Sequence, residues 1–425
     1  MAGRSGHEAG AWSIIRVAGG NFLEMYDFMV FGYYAEAIGA SFFPSRNPFT
    51  SLMATFMTFG AAFLMRPLGA IVLGAYADRH GRRAGLLLTL ALMSVGMVSL
   101  TIMPTYAQIG LAAPLLVLAG RLLQGFSAGM ELGGVSVYLS EIAPPGAKGF
   151  YVSWQSASQQ VAVVTAAGIG ILLSQVLSRA ALNAWGWRIP LAVGCLIAPV
   201  LFVLRRSLVE TEAFTNRKTQ PGWGEILRSL ASQWRRVTVG MMLATLTTVS
   251  FYMITVYTPA FGTLTLHLPV LPVFVVTLAV GVSNLIWLPV MGALSDRVGR
   301  KPLLIGFSLL MLVSAYPAML WLVSAPSFGR LLAVELWFSF IFGSYNGAMV
   351  VFLTEIIPGS LRASGFSLAY SLATAVFGGF TPAISAALVH ATGNRAVPGL
   401  WLTAAATIGL VASLVARPAG KEAPG

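Results

Sequence analysis

Asn21, Glu24 and Asp27 recur at every third position in a run otherwise made of aromatic, aliphatic and small residues. If that run is helical, the spacing stacks all three on one face, with Phe28 and Phe31 continuing around it. A carboxylate in apolar surroundings costs several kcal/mol unless it is protonated, paired or turned toward an aqueous path. Two chemistries therefore fit Glu24 and Asp27: taking up and releasing a proton, or holding a helix in place through a buried polar network. Arg66 lies 12 residues before Asp78, and Glu131 lies 10 residues before Glu141. These separations are about 18 and 15 Å of helix, so Arg66 and Glu131 stand at similar depth. They are candidate partners, either as a fixed pair or as one that exchanges during function. Glu131 joins Glu24 and Asp27 as a candidate proton carrier.

Arg121, 20 residues before Glu141, falls toward the opposite end of its run. It either snorkels to lipid headgroups or offers a forked guanidinium to a planar carboxylate. Gln124 follows within a turn, and Gly125, Ser127, Ala128 and Gly129 leave room for a closely packed helix. Gln155 and Gln159 stack at i and i+4, with Ser158 and Gln160 beside them. Amides donate and accept without adding charge, which suits the oxygens of a solute and equally suits contacts between helices. In the later half the interior candidates are Tyr252, Tyr257, Asn284, Asn346 and Tyr370, with few central charges, so that half is expected to supply shape and hydroxyls. The candidate solute-binding set is Asn21, Tyr34, Arg66, Arg121, Gln124, Gln155, Gln159, Gln160, Tyr252 and Asn346. His80, His267 and His390 are spaced for neither a metal site nor a proton wire, and the lone Cys195 excludes an intrachain disulfide. With no nucleophile and base arrangement and no phosphate loop, the chain reads as neither an enzyme nor a cofactor binder.

The elements that position these residues follow from composition. The 425 residues are 57% hydrophobic and 9% charged, with a mean hydropathy of +0.79. A water-soluble domain needs about a quarter of its residues charged, so a soluble core is excluded. Runs such as Leu191 to Leu204 do not alternate, which excludes an outer-membrane barrel and leaves a helix bundle. Twelve spans are expected, at 14–40, 50–75, 85–104, 110–138, 150–178, 187–206, 236–261, 268–291, 302–324, 328–352, 364–390 and 397–416. The first is expected to be a retained helix and not a signal peptide, since no small-residue cleavage site follows it. The polar stretch 207–235 divides a first bundle, 1–206, from a second, 236–425. Trp187, Trp223, Trp234 and Trp401 are expected at the membrane interface.

The formal charge of +12 belongs to short loops facing anionic headgroups and not to a nucleic-acid surface. With both termini cytoplasmic, 19 of the 26 Lys and Arg residues fall on the inner side, which sets the orientation. The halves also repeat one another. DRHGRR at Asp78 to Arg83 returns as DRVGRK at Asp296 to Lys301, 218 positions on. GRLL at Gly120 returns at Gly329, and Glu141 of LSEIAPPG returns as Glu355 of LTEIIPG, 209 and 214 positions on. Three matches in one order at nearly one offset imply two homologous halves, the two bodies that a rocking transporter needs. Asp78, Arg79, Arg82, Glu141, Asp296, Arg300 and Glu355 are the candidate gate residues, their alternative role being to mark topology.

These residues carry a family resemblance. Gly74 to Arg83 (GAYADRHGRR) and Gly292 to Lys301 (GALSDRVGRK) resemble the loop motif of the major facilitator superfamily. GNFLEMYDFMVFGYYA from Gly20, FLMRPLGAIVLG from Phe63 and the stretch Gly120 to Gln160 are similar to its metabolite:proton symporter family, most of all to the citrate and tricarballylate symporters. Many members for osmolytes, dicarboxylates or shikimate carry Trp where this chain has Met25. The resemblance implies a bacterial inner-membrane importer of an organic acid, coupled to protons and needing no cofactor. Another organic acid or an osmolyte, with sodium as the coupling cation, is the alternative.

Overall fold

A computed structural model describes residues 21–80, 82–129, 131–206, 228, 231–358 and 362–418. The side chains of Asp78, Arg79, Arg82 and Glu131 lie outside the described residues, as does nearly all of the expected linker. Among the described residues every regular element is helical. Ten helices are long and apolar enough to cross a membrane, and a pair bent by 45°, Arg179–Gly186 with Arg188–Val203, makes up to eleven. The chain is thus a multi-pass membrane protein, because only a helix satisfies its own backbone groups in lipid without a closed sheet.

The helices are α1 (21–33, continued as Ala35–Phe42 after a turn at Tyr34), α2 (Pro48–Leu64 and Arg66–His80), α3 (Arg82–Ile102) and α4 (Ala112–Ala128 and Glu131–Ile142). Next come α5 (Lys148–Val176), α6 (Arg188–Arg206), α7 (Trp234–Thr265) and α8 (Val270–Val298). The chain closes with α9 (Arg300–Ser324), α10 (Phe328–Ile356), α11 (Arg362–Thr392) and α12 (Pro398–Val415). Several ends differ from expectation in one direction. α4, α8 and α10 run four to seven residues past their expected ends at 138, 291 and 352, so Glu141, Asp296 and Glu355 lie within their final turns. Hydropathy marks where lipid stops, whereas a helix continues for as long as its backbone bonds do. In α2 the break falls at Met65, two residues before Pro67, whose ring excludes the regular bond to the preceding turn.

Most of α7 and α10 is inside the protein, 78% and 83% of their most apolar stretches, against 28% for α9. α7 and α10 are therefore central and α9 peripheral. Two other contacts matter for the site. A Cβ on Gly125 of α4 would collide with the backbone carbonyl of Ala62 on α2, and one on Gly69 with that of Phe126. These glycines let α2 and α4 touch backbone to backbone, which sets where Arg66 and Arg121 emerge. α5 and α8 run along one another for their full length, from Gly149 against Gly292, through Gly281 on Val163, to Phe274 on Gly170. α2 and α11 do likewise, with Gly60 against Phe380 and the Phe49 ring stacked on His390 at a centroid distance of 3.9 Å. Both seams are packed from end to end. Trp187 corrects the expected interface belt: it is fully buried and meets Phe42 edge-on.

Candidate functional site

The α1 stripe is buried as its spacing requires, with Asn21 1%, Glu24 4% and Asp27 0% exposed. Its two carboxylates turn to different neighbours. Glu24 Oε1 accepts from Arg66 Nη2 of α2 at 2.6 Å, and Asp27 Oδ2 accepts from Arg121 Nη1 of α4 at 2.6 Å. Arg66 reaches α1, and the side chain of Glu131, its candidate partner from helix depth, lies outside the described residues. Arg121 does not snorkel: it starts nine residues inside α4, is 1% exposed and is ion-paired. An arginine on that face meets the α1 carboxylate before it can extend to the headgroups, and leaving either charge alone in the interior would cost several kcal/mol.

Phe28 stands between the two pairs. Arg66 Cζ lies 5.2 Å from its centroid and 4.5 Å from that of Phe63, and Arg121 Cζ lies 5.9 Å from Phe28 and 3.9 Å from Phe31. Flat cations over ring faces are held in orientation by the ring quadrupoles. The pairing is single-pronged in both cases. Arg66 Nε and Nη1, and Arg121 Nε and Nη2, are buried without a hydrogen-bond partner among the described residues. An arginine normally uses its fork on two oxygens, so these donors are poised for a further acceptor.

Other candidates converge to differing degrees. Tyr252 of α7 packs on Phe59 and Phe63, and Phe63 is the ring 4.5 Å from Arg66 Cζ. The pair on α2 thus faces the later half of the chain. Gln155 is buried, its Oε1 accepting from Ser156 Oγ at 2.8 Å and its Nε2 without a partner among the described residues. Gln159 is buried one turn on, and Gln124 and Asn346 are buried in α4 and α10. Tyr34 lies at the break in α1 with its ring 6.1 Å from Phe274 of α8. Gln160 is used between helices: its Oε1 accepts from Asn284 Nδ2 of α8 at 3.1 Å, and Asn284 Oδ1 accepts from Ser339 Oγ of α10 at 2.7 Å.

At one end of the α5/α8 seam the later half's loop motif closes on the earlier half. Asp296 Oδ1 accepts from the backbone N–H of Gly149 at 2.8 Å and Oδ2 from that of Phe150 at 3.1 Å. α5 has no capping side chain of its own at Ala147, so a carboxylate from α8 caps it. Arg300 holds that carboxylate, with Nη2 2.7 Å from Asp296 Oδ1 and 3.3 Å from Glu355 Oε1, and it donates through Nη1 to Ser295 Oγ at 2.7 Å. Gly299 makes this tight turn at φ 95°. Glu141, exposed in the last turn of α4, was expected to meet Arg79 and Arg82, whose side chains are outside the described residues.

One buried acid was missed. Glu335 of α10 is 5% exposed and accepts from Thr258 Oγ1 of α7 at 2.8 Å, against the expectation that the later half supplies only shape and hydroxyls at its centre. Its signal was present in the run AVELWFSF, a single acid among apolar residues.

The sequence matches the family described as "Sugar (and other) transporter" over residues 12–221 and again over 206–412. It is 59% identical over 401 residues to the citrate-proton symporter of Salmonella typhi, covering 94% of this chain and 92% of that one. It is 56% identical over 413 residues to the citrate-proton symporter of Klebsiella pneumoniae, covering 97% and 93%. Among solved structures, the partially occluded, inward-open xylose transporter of E. coli superposes with a TM-score of 0.77 at 18% identity, covering 97% of this chain and 98% of that one. That last likeness is one of fold.

Proposed function

The chain belongs to the major facilitator superfamily and, within it, to the metabolite:proton symporter family, and from that premise we propose that it imports a tricarboxylate, citrate or tricarballylate, with protons by alternating access. The arrangement we infer has twelve spans in two pseudo-symmetric bundles, 1–206 and 236–425, joined by a cytoplasmic linker at 207–235. Both termini face the cytoplasm of a bacterial cell, and the protein sits in the inner membrane. The match of one family to each half of the chain supports the two bundles.

The observation that carries the reading is the pair of single-pronged ion pairs, Arg66 with Glu24 and Arg121 with Asp27. Each arginine holds an internal carboxylate with part of its fork and keeps donors for an acid from outside. Protonation of Glu24 or Asp27 loosens its hold and frees the guanidinium for a substrate carboxylate, so proton and substrate are bound together. Gln155, Gln159, Gln124, Asn21, Asn346 and Tyr252 supply uncharged contacts around them, and Glu131 is a third proposed proton carrier. A tricarboxylate is multiply charged near neutral pH, and each charge moved inward against the membrane potential costs about 2.3 kcal/mol per 100 mV. Accompanying protons offset that cost. Asp296, Arg300 and Glu355 form the cytoplasmic latch, with Asp78, Arg79, Arg82 and Glu141 its proposed first-half copy.

Uptake of radiolabelled citrate into proteoliposomes tests this, with proton and sodium gradients clamped separately and with tricarballylate, dicarboxylates and betaines as competitors. Accumulation driven by the pH gradient and blocked by tricarballylate is expected. Citrate accumulation identical with and without that gradient overturns proton coupling, and competition by betaines alone overturns the substrate.

A further inference from the structure

Glu335 lies seven residues into α10, about 10 Å along it. No cation lies beside it among the described residues. On α10, Arg330 donates through Nη1 to Trp321 O and Ser324 Oγ, and Glu355 belongs to the latch. The neighbouring helices carry their Asp, Glu, Lys and Arg residues at the opposite end: Arg235 and Arg236 open α7, Asp296 and Arg297 close α8, Arg300 and Lys301 open α9, and Arg362 opens α11, whose last turn holds His390 against the Phe49 ring. α5 brings Lys148 at its first residue, and α4 brings Glu131 and Glu141 in the segment that packs on α10. Tyr257, adjacent to Thr258, packs on Phe56 and Phe261.

The hydrogen count at Thr258 is informative. Its hydroxyl oxygen lies 2.8 Å from Glu335 Oε1 and 3.2 Å from the carbonyl oxygen of Met253. One hydroxyl hydrogen can fully serve only one of these acceptors. Both contacts become hydrogen bonds when Glu335 carries a proton: the acid donates to Thr258, and Thr258 donates to Met253. The second carboxyl oxygen, Oε2, is buried with no partner among the described residues, a costly place for a full negative charge and an inexpensive one for a neutral acid. Thr258 also sits where the helix is irregular. Wide turns at Met253–Tyr257 and Phe261–Thr265 flank Thr258–Ala260, and Pro259 removes a backbone donor there. When the proton leaves, the carboxylate takes the Thr258 hydrogen for itself and draws it from the wide turn.

We propose that Glu335 is a proton-carrying carboxyl of the transport cycle, taking a proton from water in one state and returning it to water in another, with Thr258 linking its charge to the irregular part of α7. The inference rests on the proton-symport reading and adds to it a carrier outside the arginine-paired stripe of α1.

The test uses the full-length protein in proteoliposomes. Counterflow of radiolabelled citrate at equal pH on both sides counts competent transporters, and net uptake and proton uptake are scored per competent transporter. Glu335→Gln is expected to lower the protons taken up per citrate by one, and the steady-state accumulation by about tenfold for each pH unit of imposed gradient. Thr258→Val keeps the acid and removes its partner, and is expected to move the pH midpoint of counterflow. Wild-type uptake that ignores the pH gradient overturns the symport reading and this inference with it. Wild-type coupling with an unchanged proton-to-citrate ratio in Glu335→Gln overturns this inference alone. If Glu335→Gln yields no competent protein, an unmoved pH midpoint in Thr258→Val overturns it.

Discussion

Asp27 on α1 and Arg121 on α4, 94 positions apart in the chain, meet at 2.6 Å with 0% and 1% of their side chains exposed, and the same guanidinium lies 3.9 Å from the centroid of Phe31. A pair so buried contributes little net stability but penalises the loss of either member. It makes the two charges interdependent, and a proton arriving on one is felt by the other.

Breaking the Asp27–Arg121 pair from one side is therefore expected to destabilise more than removing both charges. Arg121→Gln alone should cost about 3–5 kcal/mol, and Asp27→Asn combined with Arg121→Gln markedly less. Thermal unfolding of the purified variants in detergent measures this. An equal loss in the single and double variants contradicts it.

Arg66→Lys keeps the positive charge that faces Glu24 but replaces the fork with a point donor. Folding should be close to wild type, while kcat/KM for citrate uptake falls at least about tenfold, because one ammonium cannot span an internal and an external carboxylate. Uptake kinetics, with counterflow to report folded protein, decides it. A fall in melting temperature with unchanged kcat/KM assigns Arg66 to structure.

Asp296→Asn weakens the cap that α8 places on α5 by removing its charge, and should favour opening of that end. In a variant with Cys195→Ser and Ser153→Cys, the new thiol lies beside Gly292, under the latch. Adding Asp296→Asn should speed its alkylation from that side several-fold. No change in rate argues that Gly149 against Gly292 holds the seam unaided.

Gly125→Ala should cost about 1–3 kcal/mol, since its methyl would meet the rigid backbone carbonyl of Ala62. Gly168→Ala in α5, where nothing lies within 4 Å, is the control, expected to stabilise by up to about 1 kcal/mol. Detergent melting curves of the two variants separate close helix contact from helix propensity.

Much of this protein was legible in its sequence because lipid is a severe solvent. Apolar runs of about 20 residues must be helices, and a carboxylate within one must turn inward, so the burial of Asn21, Glu24 and Asp27 followed from spacing alone. The repeated DRxGR motifs likewise singled out Asp296, Arg300 and Glu355, and these three side chains meet. Partner choice was decided in three dimensions. Equal depth along two helices made Glu131 a candidate for Arg66 but could not name Glu24, because depth says nothing of the rotation of each helix or of which neighbour α1 provides; α2 and α4 touch at their glycines, and Arg66 and Arg121 both reach α1. Tertiary structure likewise gave Gln160 to Asn284 and placed Glu335 beside Thr258 on a wide turn of α7. Hydrophobicity is a property of each residue and is written in order along the chain, whereas a hydrogen bond between helices depends on distances and angles that exist only once the helices have packed.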